Sequence, residues 1–280
     1  MSAESLALGT FLRARRNVCQ PEDHGIFREE GRRVPGLKRD EVARLAGISA
    51  EYYLRLEQGR STRPSDQVLH SLARALHLDS ESRQYLFRLA SGDLRSTYVA
   101  SEESVARIAR ILRPWTHAPA YISDCNRDII ASNPLATVFG NGGLTVGANV
   151  AVYLFTERMK KTLGEEWEDM ARGTLAGLRR DAEPFSPRLN EIVDELSDDP
   201  AFTRLWARHD VSGTEDAHVR MAIEGLGTLE IDVQNFSVRS MPGCLLTVLS
   251  APPQGTAARV FSHLADTLTA QPAGILVAAD

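Results

Sequence analysis

The stretch "RDEVARLAGISAEYYLRLEQGR", beginning at Arg39, sets the tightest limit on what this chain can fold into. Val42 and Leu45 stand three apart, the spacing of one helix face. Gly47 follows where a helix needs a left-handed residue to satisfy its last carbonyls, a conformation glycine takes at little steric cost. Ser49 then stands where an N-cap belongs, with a hydroxyl that accepts from the next turn's amides. One helix must stop and another start within three residues. Ile48, Tyr53 and Leu56 are spaced to pack inward, which turns Ser49, Ala50, Glu51, Tyr52 and Arg55 outward, and Gly59 ends the second helix.

The flanking sequence supplies a frame for this pair. Leu8, Phe11 and Leu12 mark an amphipathic helix, with Arg13, Arg15 and Arg16 on its other faces. "CQPEDHGIFREEGRRVPG" then breaks the periodicity and exceeds the usual helix–helix connection of about 2–8 residues. Ser65 is placed to cap a fourth helix carrying Val68, Leu72 and Leu76, and Tyr85, Leu86 and Leu89 mark a fifth. Two helices around a glycine turn also occur in proteins that never touch DNA. A helix-turn-helix differs in laying the start of its second helix in the major groove.

"LKRDEVARLAGISAEYYLRLEQGRSTRPS" resembles the XRE-type helix-turn-helix, and residues 35–65 resemble the MmyB-like branch, with its "PGLRREEVA…AGVS…YY…LEQGR…PS" pattern. The long arginine-bearing loop before "PGL" belongs to the same branch. The resemblance implies binding to double-stranded DNA, with Ala50, Glu51 and Arg55 at base edges. An arginine on guanine, or a carboxylate on cytosine, discriminates by about 1–3 kcal/mol. Arg39, Arg60 and Arg63, with Ser49 and Tyr52, are expected on phosphates, where they fix register. A salt bridge to an arginine is the other reading of Glu51, and Glu57 reads as structural. One such module offers few contacts, so a homodimer on paired half-sites is expected.

The formal net charge of −5 does not oppose this. Up to Arg95 there are 16 Lys/Arg against 13 Asp/Glu, and beyond it 16 against 24. The excess acid lies in the part of the chain that the motif does not use, and local charge at the groove is what matters. The expected boundaries are a DNA-binding domain over 1–92, a linker over 93–104 and an effector domain over 105–280.

Beyond the linker the texture changes. After a helix from about Glu102 to Leu112, "AYISDCNRDIIASN" alternates β-formers around a turn, a hairpin signal. Asn133 caps a helix with Pro134 at its first position. Residues 152–180 read as a long helical region, and "SPRLNEIVDELSDDPAFTRLWARHDV" as two more helices. "GTLEIDVQNFSV" and "GCLLTVLSAP" read as antiparallel strands, and "TAARVFSHLADTLTA" as a closing helix. Strands, then helices, then strands make an α+β domain with helices on one face of an antiparallel sheet. The fold class expected for the whole is thus an all-α helix-turn-helix domain followed by an α+β PAS-like domain.

The MmyB-like resemblance continues here. "PAYISDCNRDIIASN" resembles the family's "PAYVLDRRWDVLAWN", and "YLF…W…LR" and "DPAFTRLWARHDV" follow in order. It implies a PAS-like effector domain for a small amphipathic, fatty-acid-like ligand, with no required cofactor. The candidate ligand residues are Tyr121 and Asn133 in the first motif, Phe155, Trp167 and Arg179 in the second, and Phe202, Trp206 and His209 in the third. The family's His-Pro pair before Gly227 is replaced by Ile223 and Glu224, which puts the pocket's shape in question. The alternative is a ligand-free dimerisation or protein-docking platform.

Other chemistry finds little footing. His209 and Asp210 have no serine or cysteine nucleophile motif beside them, so no enzyme is expected. His209 and His218 lack helical metal-ligand spacing, and Cys19, Cys125 and Cys244 form no CxxC, so no metal is expected. "NGGLTVGAN" has no GK[ST] and is no phosphate loop. No apolar run approaches the ~20 residues of a membrane span, and the first basic residues follow the apolar ones, against signal-peptide order. A soluble cytoplasmic protein without membrane partners is expected.

Overall fold

In a computed structural model, which describes residues 3–27, 32, 34–60, 64–91, 102–184, 186–213, 216–269 and 276–277, the stop and start at Gly47 occur as the local rules demand. Helix α2 (Arg39–Ala46) ends at Gly47 with φ 67°, and α3 (Ala50–Glu57) begins where the Ser49 hydroxyl accepts from the Tyr52 amide at 3.1 Å. They are preceded by α1 (Ala3–Val18) and followed by α4 (Asp66–Ala75), capped by Ser65, and α5 (Ser80–Ser91). Phe11, Leu12, Leu37, Val42, Tyr53, Leu56, Leu72 and Leu86 form one buried core. Leu45 departs from its expected place. It is 38% exposed, and the inward face of α2 is made by Val42, Ala43 and Ala46.

Two units divide the chain: Met1–Arg95 with Thr203–Gly213, and Ser96–Phe202 with Thr214–Asp280. The first is therefore not built from one continuous segment. Most of the expected linker, 93–101, lies outside the described residues.

The second unit opens with α6 (Glu102–Ala109) and a 3-10 turn, then the hairpin β1 (Ala120–Ser123) and β2 (Ile129–Ser132). Helix α7 (Pro134–Phe139) follows its Asn133 cap. The expected long helical region holds three helices. They are α8 (Val150–Leu154), α9 (Glu157–Leu163) and α10 (Trp167–Asp181), because the Thr156 hydroxyl caps a fresh start at Met159 N, 3.3 Å away. Next come α11 (Pro187–Leu196) and α12 (Pro200–Trp206), whose residues from Thr203 onward count with the first unit. The strands β3 (Ala217–Ile223), β4 (Gly227–Ser237) and β5 (Leu245–Ser250), then α13 (Thr256–Thr269) and β6 (Leu276–Val277), complete the order. The strands form one antiparallel sheet in the order β3-β4-β5-β1-β2-β6. None of the described helices is long and apolar enough to cross a membrane.

Every position of β1 is buried, so both of its faces are covered. Ala120, Ile122, Ala131, Leu246 and Val248 share one face, packed with Val105, Ile108, Ala109 and Leu112 of α6 and the following turn. Tyr121 and Thr247, paired across the ladder, look the other way.

Helices α1 and α3 approach so closely that a Cβ on Gly9 would collide with the Glu57 carbonyl oxygen. Gly9→Ala should lower the melting temperature despite alanine's better helix propensity, because backbone must move. At Gly173, inside α10, a Cβ meets nothing within 4 Å. Gly173→Ala should therefore stabilise by about 0.5–1 kcal/mol, and thermal unfolding of both variants checks the opposite signs.

Candidate functional site

The outward edge of α3 is assembled from behind. Tyr53 is wholly buried and Leu56 nearly so, while Ile48 and Tyr52 pack partly against the same core. That leaves Ser49, Ala50, Glu51 and Arg55 exposed, as the inward spacing demanded. Arg60 is exposed just beyond the Gly59 turn. Arg63 lies outside the described residues.

The charges sort by position. Glu57 is almost fully buried at the end of α3. Its carboxylate accepts from Arg16 Nε of α1 at 2.6 Å and from Arg39 Nε of α2 at 2.6 Å. Arg16 also donates to the Leu37 carbonyl. Burial alone would raise the Glu57 carboxyl, but hydrogen bonds from Arg16 and then Arg39 outweigh it and hold it below the ordinary carboxylate range. Arg39, expected on phosphate, thus has part of its guanidinium engaged within the protein, while half of its side chain stays exposed. Glu51, Arg55 and Arg60 meet no opposite charge within ion-pair distance among the described residues. The reading of Glu51 as a salt-bridged side chain therefore has no support in this unit.

Sequence reasoning missed Arg32. Its guanidinium donates to both oxygens of Glu41, at 2.8 and 2.6 Å, and to the Gly36 carbonyl at 2.7 Å. Glu41 in turn accepts from the Lys38 amide at the start of α2. The Arg32 hydrogen bonds hold Glu41 below its usual range. The long loop is thereby tied to the first turn of α2. A glutamate three residues past the cap was the available signal.

The eight candidate ligand residues do not gather in one place. Phe155 stands edge-on to Trp167, with centroids 5.2 Å apart, and to Phe202, 5.6 Å apart, making an aromatic cluster in the second unit. Trp167 Nε1 donates to the Leu154 carbonyl at 2.7 Å. Arg179 is buried on α10, twelve positions beyond Trp167, or about 18 Å along a helix axis. Tyr121 is buried beside Thr247, whose hydroxyl donates to Asn235 at 2.8 Å, and burial pushes the Tyr121 hydroxyl up.

Three candidates are corrected. The Asn133 side chain is saturated: Oδ1 accepts from the amides of Ala120 and Ala136, and Nδ2 donates to the carbonyls of Trp115 and Ala118. An asparagine that has made all four bonds has none for a ligand. Trp206 and His209 fall in the first unit, because the chain from Thr203 to Gly213 packs there. The His209 ring lies 6.4 Å from that of Phe11.

Comparison with known families gives two matches. Residues 105–264 match the family described as MmyB-like transcription regulator ligand binding domain. Residues 7–86 match a helix-turn-helix domain family. A comparison with curated proteins returns no match.

Because the native fold holds the Glu57 carboxyl below its unfolded value, the unfolded chain binds the extra proton on acidification. The Glu57 contribution is full above the ordinary glutamate value of about 4.3 and is lost as pH falls through the depressed one. Urea titrations across acid pH should show this slope in the native protein and a shallower one in Glu57→Gln. Glu57→Ala leaves Arg16 buried without its partner and should cost about 3–5 kcal/mol at neutral pH.

Proposed function

Since the chain belongs to the MmyB-like transcription regulators, we propose that it reads a specific DNA sequence through α3 and answers to a small amphipathic molecule in its second unit. The observation that carries the DNA half is the contrast in charge. Arg16, Arg32 and Arg39 are tied to buried carboxylates. Among the described residues, Arg55 and Arg60, at and just beyond the exposed edge of α3, meet no such carboxylate. Cationic side chains left in water in the last turn of α3 and just past it can neutralise phosphate or pair with a base edge without first breaking an internal bond.

Ala50, Glu51 and Arg55 are assigned to base edges. Ser49, Tyr52, Arg60 and Arg63 are assigned to phosphate, with Arg39 contributing through the exposed part of its side chain. Two copies on paired half-sites give the contact number that one short helix lacks. The proposed domains are 1–92 and 105–280, with Thr203–Gly213 counted with the first unit.

For the ligand, support comes from the spacing of apolar and cationic groups. The cluster of Phe155, Trp167 and Phe202 offers an apolar end. An amphiphile that met both this cluster and the buried Arg179, about 18 Å along α10, would be long and thin, as a fatty acid is. Ligand that favours one arrangement of the protein changes its fit to DNA. The rival platform reading draws on the satisfied polar groups nearby, since Asn133 and Trp167 Nε1 are already bonded inside the protein. The DNA-binding fold and the family give no support to catalysis, and the protein is read as a non-enzymatic, cytoplasmic regulator.

On DNA selected from a random pool, Arg55→Ala should reduce discrimination between cognate and altered sites by about 10- to 100-fold. Arg60→Ala should weaken all sequences alike and lower the salt slope by about one. Binding measured over a salt series separates the two, and the reversed pattern contradicts the assignment. Mass spectrometry of the denatured, purified protein should reveal a co-purified amphiphile. Its absence, together with an unfolding midpoint that added fatty acid leaves unmoved, favours the platform.

A further inference from the structure

The first unit holds a piece of chain from far along the sequence, and its contacts there are not those of a passing loop. Loops ordinarily run over the surface and expose polar backbone. Val211, by contrast, is 3% exposed and belongs to the same apolar core as Phe11, Leu12, Leu86 and Leu89. Its carbonyl accepts from the buried Ser82 hydroxyl of α5 at 3.3 Å. The neighbouring Asp210 binds Arg15 of α1, 195 positions away, at 2.7 Å, and Arg208 at 2.8 Å. His209 presents its ring edge-on to Phe11, which stands edge-on to Tyr85 at 5.2 Å. The backbone of His209 has φ 52°, a conformation that a non-glycine residue keeps only where its surroundings over-determine it. Three consecutive residues therefore make three different kinds of contact: an ion pair, a ring edge and an apolar plug.

We propose that α1 and α5 form a docking surface for residues 208–213, and that this segment is a latch whose seating keeps the DNA-binding unit ordered and competent. The latch is specific in its chemistry. A carboxylate must meet Arg15, and a β-branched apolar side chain must fill the core one residue later. Unseating it removes Val211 from the core it shares with α1 and α5 and strips Arg15 of its carboxylate. Both effects loosen the helices that support α3 from behind. The proposal rests on reading the first unit as the DNA-binding one.

The test uses the full chain and two readouts. Amide hydrogen exchange is measured in α1 and α5, with α13 of the second unit as internal reference, and affinity is measured for plain duplex DNA at fixed salt. Val211→Ala should speed exchange in α1 and α5 by about tenfold or more and leave α13 within about twofold, because opening is local to the unit that loses the contact. Duplex affinity should fall in the same variant. Asp210→Arg should act likewise, and combining it with Arg15→Asp should restore slow exchange. Exchange in α1 and α5 within about twofold of the native protein in both single variants would overturn the latch. Should the unaltered chain bind no duplex even at low salt, the DNA-binding reading falls instead, and the exchange rates still decide whether the segment docks.

Discussion

A single buried carboxylate organises the DNA-binding unit. Glu57 ends α3, yet its two oxygens are held by Arg16 of α1 and Arg39 of α2, both at 2.6 Å. Apolar packing is non-directional and would let α3 rotate about its axis with little penalty. Two charge-assisted hydrogen bonds to fixed donors do not permit that rotation. With Glu57 pinned inward, Ala50, Glu51 and Arg55 keep their outward aim, and that exposed edge becomes a consequence of the clamp. Gly9 permits the arrangement by letting α1 come against the Glu57 backbone.

The same sorting explains how an acidic protein presents a cationic edge. Most arginines of the first unit whose contacts are described are turned to internal work: Arg15 on Asp210, Arg16 and Arg39 on Glu57, Arg32 on Glu41. The excess of acid resides in the rest of the chain. Arg55 and Arg60 are exposed, and among the described residues no carboxylate pairs with them. What governs encounter with a phosphate backbone is the field at the contact surface, and a total of −5 does not describe that field.

Local rules were legible in the sequence, and long-range ones were not. The glycine stop, the serine and asparagine caps, the hairpin after Ala120 and the strands around Ile231 and Val248 all follow from signals within a few residues. Leu45 misled because three-residue spacing fits two candidate faces, and the small Ala43 and Ala46 took the inward one. Strand β3 escaped notice although Ala217, Val219, Met221 and Ile223 alternate, since it is an edge strand with mostly half-exposed apolar side chains. The cap at Asn133 was readable, but its saturation by Trp115 and Ala118 was not. Nothing in "WARHDV" announces that it packs on residues near the N-terminus, for periodicity carries no information about a partner 195 positions away.

The outward aim of α3 is tested most directly by nuclear magnetic resonance of the full chain on a duplex selected from a random pool. The amides of Ser49, Ala50 and Glu51 and the guanidinium of Arg55 should show the largest shifts on saturation, and these should diminish on a scrambled duplex of the same length. If those signals stay put while amides elsewhere in the chain move, α3 is not the reading helix, however well Glu57 holds it in place.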